Sequence, residues 1–186
     1  MKLVIPGTSF LDSYCAALRQ GWSPNTVRPE VAIEELEAIA ADAEGFLRWK
    51  SDLEGNGPPV RQADGSLEPR LPGFSRWMWD GEFCGSINFR WQPGTTELPP
   101  VVLGHIGYNV VPWKRRQGYA TVALTQLLDE LDELEVVELP FVELTTDDNN
   151  IGSQRVIEAN GGQLVERFEM LDEQGGGIGL RYRIPR

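Results

Sequence analysis

Hydrophobic positions change their spacing along this chain, and each change predicts a different element. Residues 10–20 put Phe10, Tyr14, Ala17 and Leu18 on one helical face. Residues 31–49 repeat that spacing with Ile33, Leu36, Ile39, Ala40, Ala43 and Leu47 after Pro29, which predicts a second, longer helix. The period then disappears. Residues 50–72 carry four Pro, three Gly and scattered charges, a loop longer than compact domains keep without purpose. A mobile insertion and a lid over a substrate mouth are equally good readings of it.

Strand patterns follow. Residues 74–79 and 82–91 flank Asp80-Gly81, a strong hairpin signal. Residues 101–111 predict a third strand, with Gly104, Gly107 and Pro112 as places where it bends or bulges. Residues 117–134 form an amphipathic helix whose stripe is Ala120, Leu124, Leu127, Leu128, Leu131 and Leu134. A strand at 141–146 and a helix at 150–160, capped by Gly161-Gly162, come next. Residues 163–171 and 178–184 close the chain as an antiparallel pair around three consecutive glycines, Gly175 to Gly177. No internal repeat is present. This order predicts a mixed α/β fold of the α+β kind: a largely antiparallel, twisted sheet with helices on both faces.

Composition narrows the function. A chain of 186 residues suits a single domain with a full core, and 41% hydrophobic residues with six Trp argue for a globular one. The net charge of −11 argues against nucleic acid as a partner. That acidity serves solubility first, and steering of a cationic co-substrate second. Two cysteines, Cys15 and Cys84, and a single histidine support neither a disulfide framework nor a metal site. No apolar run reaches the length of a membrane span, and residues 1–10 lack the apolar core of a signal peptide. The expectation is a soluble, cytoplasmic protein with reduced thiols.

The helix at 117–134 carries its charges against its dipole. Lys114, Arg115 and Arg116 stand at its start, and Asp129, Glu130, Asp132 and Glu133 crowd its end. Each misplaced charge costs about 0.3–1 kcal/mol in a free helix. An anion at the first turn reverses the sign of the basic half, since exposed N–H groups, dipole and cations then all face it. Gly118 lets a bulky phosphate come close. The dinucleotide fingerprint GxGxxG and the GxxxxGK[ST] phosphate loop are both absent.

What is present is Val110-x-Pro112 followed by Arg115-x-x-Gly118-x-Ala120, and further on Asn150-Ile151-Gly152-Ser153 with Gly161 behind it. In these motifs the sequence resembles the GNAT superfamily of acyl-CoA-dependent N-acetyltransferases, from residue 71 to residue 168. The resemblance is closest to a bacterial branch carrying Gly-His-Ile-Gly-Tyr, here Gly104 to Tyr108. It implies residues 73–186 as an acyl-CoA-binding core with a splayed pair of parallel strands holding the pantetheine. Residues 1–72 would shape the acceptor side of the same domain.

By the same resemblance, backbone N–H groups of Arg116, Gln117, Gly118, Tyr119, Ala120 and Thr121 cradle the pyrophosphate of acetyl-CoA. Arg115 and Arg116 add charge, whereas Lys114 reads as a surface lysine. The N–H near Val110 would bond the thioester carbonyl, and Asn150, with Ser153 beside it, the pantetheine. The implied reaction moves an acetyl group to a primary amine of a small molecule or peptide, by direct attack in a ternary complex. It needs no metal, no membrane and no nucleic acid, and a monomer or homodimer suffices.

The proton chemistry is less legible. His105 has the best intrinsic pKa for a general base, but strand alternation puts it on the face opposite Gly104, Ile106, Tyr108 and Val110. A bulge at Gly104 or Gly107 would rescue it. Gly104 stands where relatives often carry a catalytic Glu, and Glu143 on the next strand is a second candidate. Ile157 stands where many relatives carry a Tyr that protonates the departing thiolate, so that Tyr108, Tyr182 or water must take that part. The missing Glu and Tyr motivate another reading, a non-catalytic acyl-CoA-binding or sensing module, and a transferase of longer acyl chains is a third. Trp77 and Trp79 share a strand face and read as core before they read as an aromatic wall for a cation.

Overall fold

Two antiparallel sheets lie edge to edge in the computed structural model of the chain, in which residues 1–62, 65–134 and 139–186 are described. In chain order the elements are β1 (Lys2–Val4), α1 (Thr8–Arg19), α2 (Val31–Ala41), α3 (Ala43–Arg48), β2 (Ser51–Asp52), β3 (Val60–Arg61), β4 (Leu67–Glu68), β5 (Gly73–Trp79), β6 (Phe83–Arg90), β7 (Ile106–Val110), α4 (Tyr119–Glu133), β8 (Phe141–Asp147), α5 (Ile151–Ala159), β9 (Gln163–Glu169) and β10 (Ile178–Pro185). The first sheet runs β1-β5-β6-β7 with β2 added on β5, the second runs β8-β10-β9, and β3 pairs only with β4. The mixed architecture read from the pattern is the observed one.

Apolar residues on both faces of the first sheet explain the two helical layers. Phe74, Met78, Ile87, Phe89 and Ile106 face α4, whose Ala123, Leu124 and Leu127 are fully buried, and Val142, Leu144 and Tyr182 of the second sheet join the same core with Ile157 of α5. On the opposite face Trp77 and Phe83 meet Leu11, Tyr14 and Leu18 of α1. Trp77 stacks on Tyr14 with ring centres 4.4 Å apart, and Phe10 sits edge-on to Trp79 at 4.8 Å. Both indoles are therefore packed against α1, as core aromatics.

Three of the charges that oppose the dipole of α4 have found other partners. Glu130 takes the Arg76 guanidinium, Asp132 pairs with Arg186 at 2.7 Å, and Lys114 is held between Asp80 and Glu82 at 2.9 and 2.7 Å. Lys114 is thus a tether to the β5–β6 turn rather than a solvated lysine.

Several boundaries differ from the pattern reading. The single helix expected over 31–49 is broken at Asp42, which leaves the helical region at φ −156° and caps the next helix by accepting the Gly45 N–H at 2.9 Å. The side chain of Asp42 offers the backbone a stop that hydrophobic spacing does not register. The strand expected over 101–111 keeps only 106–110, because residues 99–102 turn, the Val102 N–H bonding the Pro99 carbonyl at 2.8 Å. Residues 50–72 hold three short strands, β2, β3 and β4, instead of none. β1 escaped notice because three residues show no period.

Candidate acyl-carrier and acceptor site

The chain leaves β7 through Val111, which is fully buried, makes one 3-10 turn over Pro112–Lys114, and enters α4 through an irregular bend. Arg116 sits at φ 63°, alone among the described non-glycine residues in the left-handed region. That conformation costs about 1–2 kcal/mol for a residue with a Cβ. Gly118 follows at φ 77° as the residue before α4, and no side chain caps the helix. The first helical bond runs from the Val122 N–H to the Gly118 carbonyl at 3.1 Å. No described residue accepts from the N–H groups of Tyr119, Ala120 and Thr121, the orphan donors of a helix start. A Cβ on Gly118 would meet nothing of the protein within 4 Å. Backbone strain beside unmet donors and the positive end of a dipole makes an anion cradle.

The cradle is held from two sides. Tyr119 donates its hydroxyl to Asp80 at 2.6 Å, and this bond first, then Lys114, keeps the Asp80 carboxyl well below the usual carboxylate range. Arg115 donates from Nε to the Val110 carbonyl at 3.0 Å, which ties the bend back to β7. Arg116 and Gln117 are exposed, and no described acid pairs with Arg116.

Below the cradle the two sheets part. The β7–α4–β8 crossover brings β8 alongside β7 in the same direction. The strands meet at their start, where the His105 N–H bonds the Glu143 carbonyl at 2.8 Å and the Glu143 N–H is accepted by His105 Nδ1 at 3.0 Å. Gly104 permits this approach, since a Cβ there would come within 2.9 Å of the Glu143 carbonyl oxygen. Beyond that point no ladder joins β7 to β8. On the other edge of β7 the His105 carbonyl and the Val111 N–H both bond to β6 and its continuation. By strand alternation the peptide groups of Ile106, Tyr108 and Val110 are aimed into the gap. The Val110 carbonyl is taken by Arg115; its N–H is not.

Side chains sort to either side of this gap. Tyr108 reaches from β7 to the first turn of α5, its hydroxyl 2.7 Å from Ser153 Oγ. Burial pushes its pKa up to about 12, against the Ser153 bond, which lowers it. Asn150 caps α5 by accepting the Ser153 N–H at 3.1 Å. Ile157 lies fully in the apolar core. Tyr182 is buried beneath α5 and points its hydroxyl at Glu158, 3.4 Å away.

His105 is fully buried against Phe89. Its Nδ1 lone pair is used by the Glu143 peptide, so the ring carries its proton on Nε2, which has no partner among the described residues. Burial lowers its pKa, with the Glu143 carboxylate opposing. That carboxylate is engaged by Arg183 at 2.9 Å.

On the α1 face of the first sheet, opposite the dry α4 core, stands a row of polar residues that hydrophobic patterning passed over. Ser86, Asn88 and Arg90 alternate along β6, and Asn109 follows on β7, donating from Nδ2 to the Ser23 carbonyl at 2.7 Å. The signal was available as polar residues at every second position between Phe83 and Trp91.

Comparison with known proteins agrees with this fold. The chain belongs to the GNAT acetyltransferase family: the family model described as an acetyltransferase (GNAT) domain matches residues 26–163. Among solved structures it is similar to RimJ of Mycobacterium smegmatis in complex with CoA-disulfide, at 18% identity and TM-score 0.62 over 98% of this chain and 80% of that one. It is similar to the ribosomal α-N-protein acetyltransferase RimL in complex with coenzyme A, at 12% identity and TM-score 0.61 over 98% and 92%. It is also similar to the microcin self-immunity acetyltransferase MccE in complex with acetyl-CoA and AMP, at 13% identity and TM-score 0.60 over 99% and 91%. No curated protein sequence matches the chain. No helix among the described residues is long and apolar enough to cross a membrane, and no cluster of three potential metal ligands occurs among them.

Proposed function

We propose that the protein is an acetyl-CoA-dependent N-acetyltransferase that acetylates a primary amine by direct attack in a ternary complex. The observation that carries this reading is the strained, uncapped start of α4 directly above the gap between β7 and β8. The N–H groups of Arg116 to Thr121 face the pyrophosphate of the coenzyme, with Arg116 and the free edge of the Arg115 guanidinium adding charge. The pantetheine arm lies in the gap, beside Asn150 and Ser153. The Val110 N–H bonds the thioester carbonyl and strengthens as negative charge grows on that oxygen.

The amine nitrogen bonds to the carbonyl carbon, the carbon–sulfur bond breaks, and the coenzyme leaves as a thiolate. Tyr108, protonated throughout the neutral range because of its raised pKa, is a donor and never a base. It delivers a hydrogen bond or proton to the sulfur. His105 has no free lone pair, so its part is to pin β8 to β7 at the base of the gap. The acceptor's ammonium proton is lost to water before attack, which suits a peptide α-amine, with its pKa of roughly 7.7–8.0, far better than a lysine near 10.4, and the second nitrogen proton leaves to water as the amide forms.

Titration of the protein with acetyl-CoA in a calorimeter, followed by thiol release across a panel of amines, tests this reading. Binding with turnover on an amine is the expected result. Binding with no turnover on any acceptor would leave an acyl-CoA-binding module without chemistry, and no heat at all would overturn the site. Replacing Tyr108 by Phe is expected to lower kcat by roughly 10- to 100-fold while leaving acetyl-CoA affinity within a few-fold. An unchanged kcat would remove Tyr108 from the reaction.

A further inference from the structure

Arg90 ends β6 on the α1 face, half-buried, with its guanidinium over Gly107: a Cβ on that glycine would come within 3.1 Å of an Arg90 terminal nitrogen. This guanidinium donates to the Asn88 side-chain oxygen, 2.5 Å away, and no described acid pairs with it. That is unusual company for a partly buried arginine, which ordinarily lies against a carboxylate. Its neighbours on this face show the contrast. Arg183 is paired with Glu143 at 2.9 Å and Arg181 with Glu166 at 2.5 Å.

A second unmet group faces the same place. Thr145 stands two residues beyond Glu143, as Gly107 stands two beyond His105, so the two positions face each other across the gap. Val142, Leu144 and Thr146 turn toward the α4 side, so Thr145 turns toward the side of Arg90. Its hydroxyl is buried with no hydrogen-bond partner. The Asn88 amide oxygen is occupied by Arg90, which leaves its NH₂ group as a donor beside Gly107. The Arg90 guanidinium and the Asn88 amide lie beside Gly107, and Thr145 turns toward the same side of the sheet. Gly107 to Val110 spans about 10 Å of strand, so this spot lies within one small molecule's length of the thioester.

We infer that Arg90, Asn88 and Thr145 form a carboxylate subsite, and that the acceptor is an amine that also carries a carboxylate, of the α-amino acid or short acidic peptide class. The inference rests on the acetyl-transfer reading for the position of the amine. It departs from the cationic acceptor that the overall charge of −11 suggests. The α1 face is the open approach, because the α4 face of both sheets is filled by apolar side chains. A carboxylate brought there gains charge-assisted bonds to Arg90 and meets donors that lack acceptors without it.

The test compares acid and amide forms of one acceptor: glycine against glycinamide, and N-terminal aspartyl against asparaginyl dipeptide amides. The intact enzyme is expected to prefer the acid form by about 10-fold or more in kcat/KM. Arg90→Gln should reduce that preference to near one by raising the acceptor KM, with the KM for acetyl-CoA unchanged, and Arg90→Lys should restore part of it. The preferred acid of the two pairs tells an α-carboxylate from a side-chain one. Equal rates on acid and amide in the intact enzyme, or a preference that survives Arg90→Gln, would overturn the subsite. Should no amine turn over, calorimetry of N-acetylglycine against N-acetylglycinamide on the coenzyme A-loaded protein reads the same preference. Catalysis would then have failed while the subsite stands or falls on its own heat.

Discussion

Gly118→Trp is expected to weaken acetyl-CoA binding by on the order of 1000-fold while the protein remains folded. The two effects separate because of where the glycine sits. Its φ of 77° makes any Cβ strained, at about 1–2 kcal/mol. Yet no protein atom lies within 4 Å of where its Cβ would sit, so the new side chain starts in open space and not in the core. It stands instead over the N–H groups of Tyr119, Ala120 and Thr121, where the pyrophosphate is placed. Gly118→Ala supplies the strain without the bulk and should lose far less affinity at a similar cost in stability. Calorimetry with acetyl-CoA, paired with urea unfolding of both variants, makes the comparison. Affinity retained in Gly118→Trp would mean that the coenzyme does not lie on this helix start.

His105→Ala is expected to cost about 2–4 kcal/mol of stability, because it leaves a cavity and strands the buried Glu143 N–H without an acceptor. His105→Asn keeps an oxygen near Nδ1 and should recover part of that loss. The pH dependence carries a sign. The folded ring has a lowered pKa, so the unfolded chain takes up a proton first as pH falls. The stability it contributes is fully present above about pH 6.5 and declines below it until the folded ring is itself protonated. Urea unfolding between pH 5 and 8 should show that decline in the intact protein and a shallower one in His105→Asn. If His105 served instead as the base, His105→Asn would cut turnover sharply and flatten the acidic limb of the residual pH–rate profile; a preserved limb is expected.

The proposed coenzyme side of the site leaves a clearer mark in the sequence than the proposed acceptor side, and the reason is physical. A helix start that must stay uncapped, strained and open to phosphate needs Gly118 and tolerates little else, so it leaves a short contiguous motif. Asn150 and Ser153 likewise belong to one helix cap. The polar row of Ser86, Asn88, Arg90 and Asn109 is assembled from two strands, and its meaning depends on Thr145 arriving from another sheet. Strand alternation predicts a face for His105, but only the meeting of β7 with β8 shows that its ring is committed to a peptide N–H. Asp42, which divides the helix expected over 31–49, acted through its side chain and not through hydrophobic spacing.

The opposed faces of the first sheet have one more consequence. Because neighbouring positions on a strand point to opposite sides, Asn88 and Arg90 can be exchanged for other polar residues while Ile87 and Phe89 between them keep the interior intact. The proposed acceptor row can thus be rewritten on one surface while the packed interior, and with it the proposed coenzyme cradle at the start of α4, stays as it is.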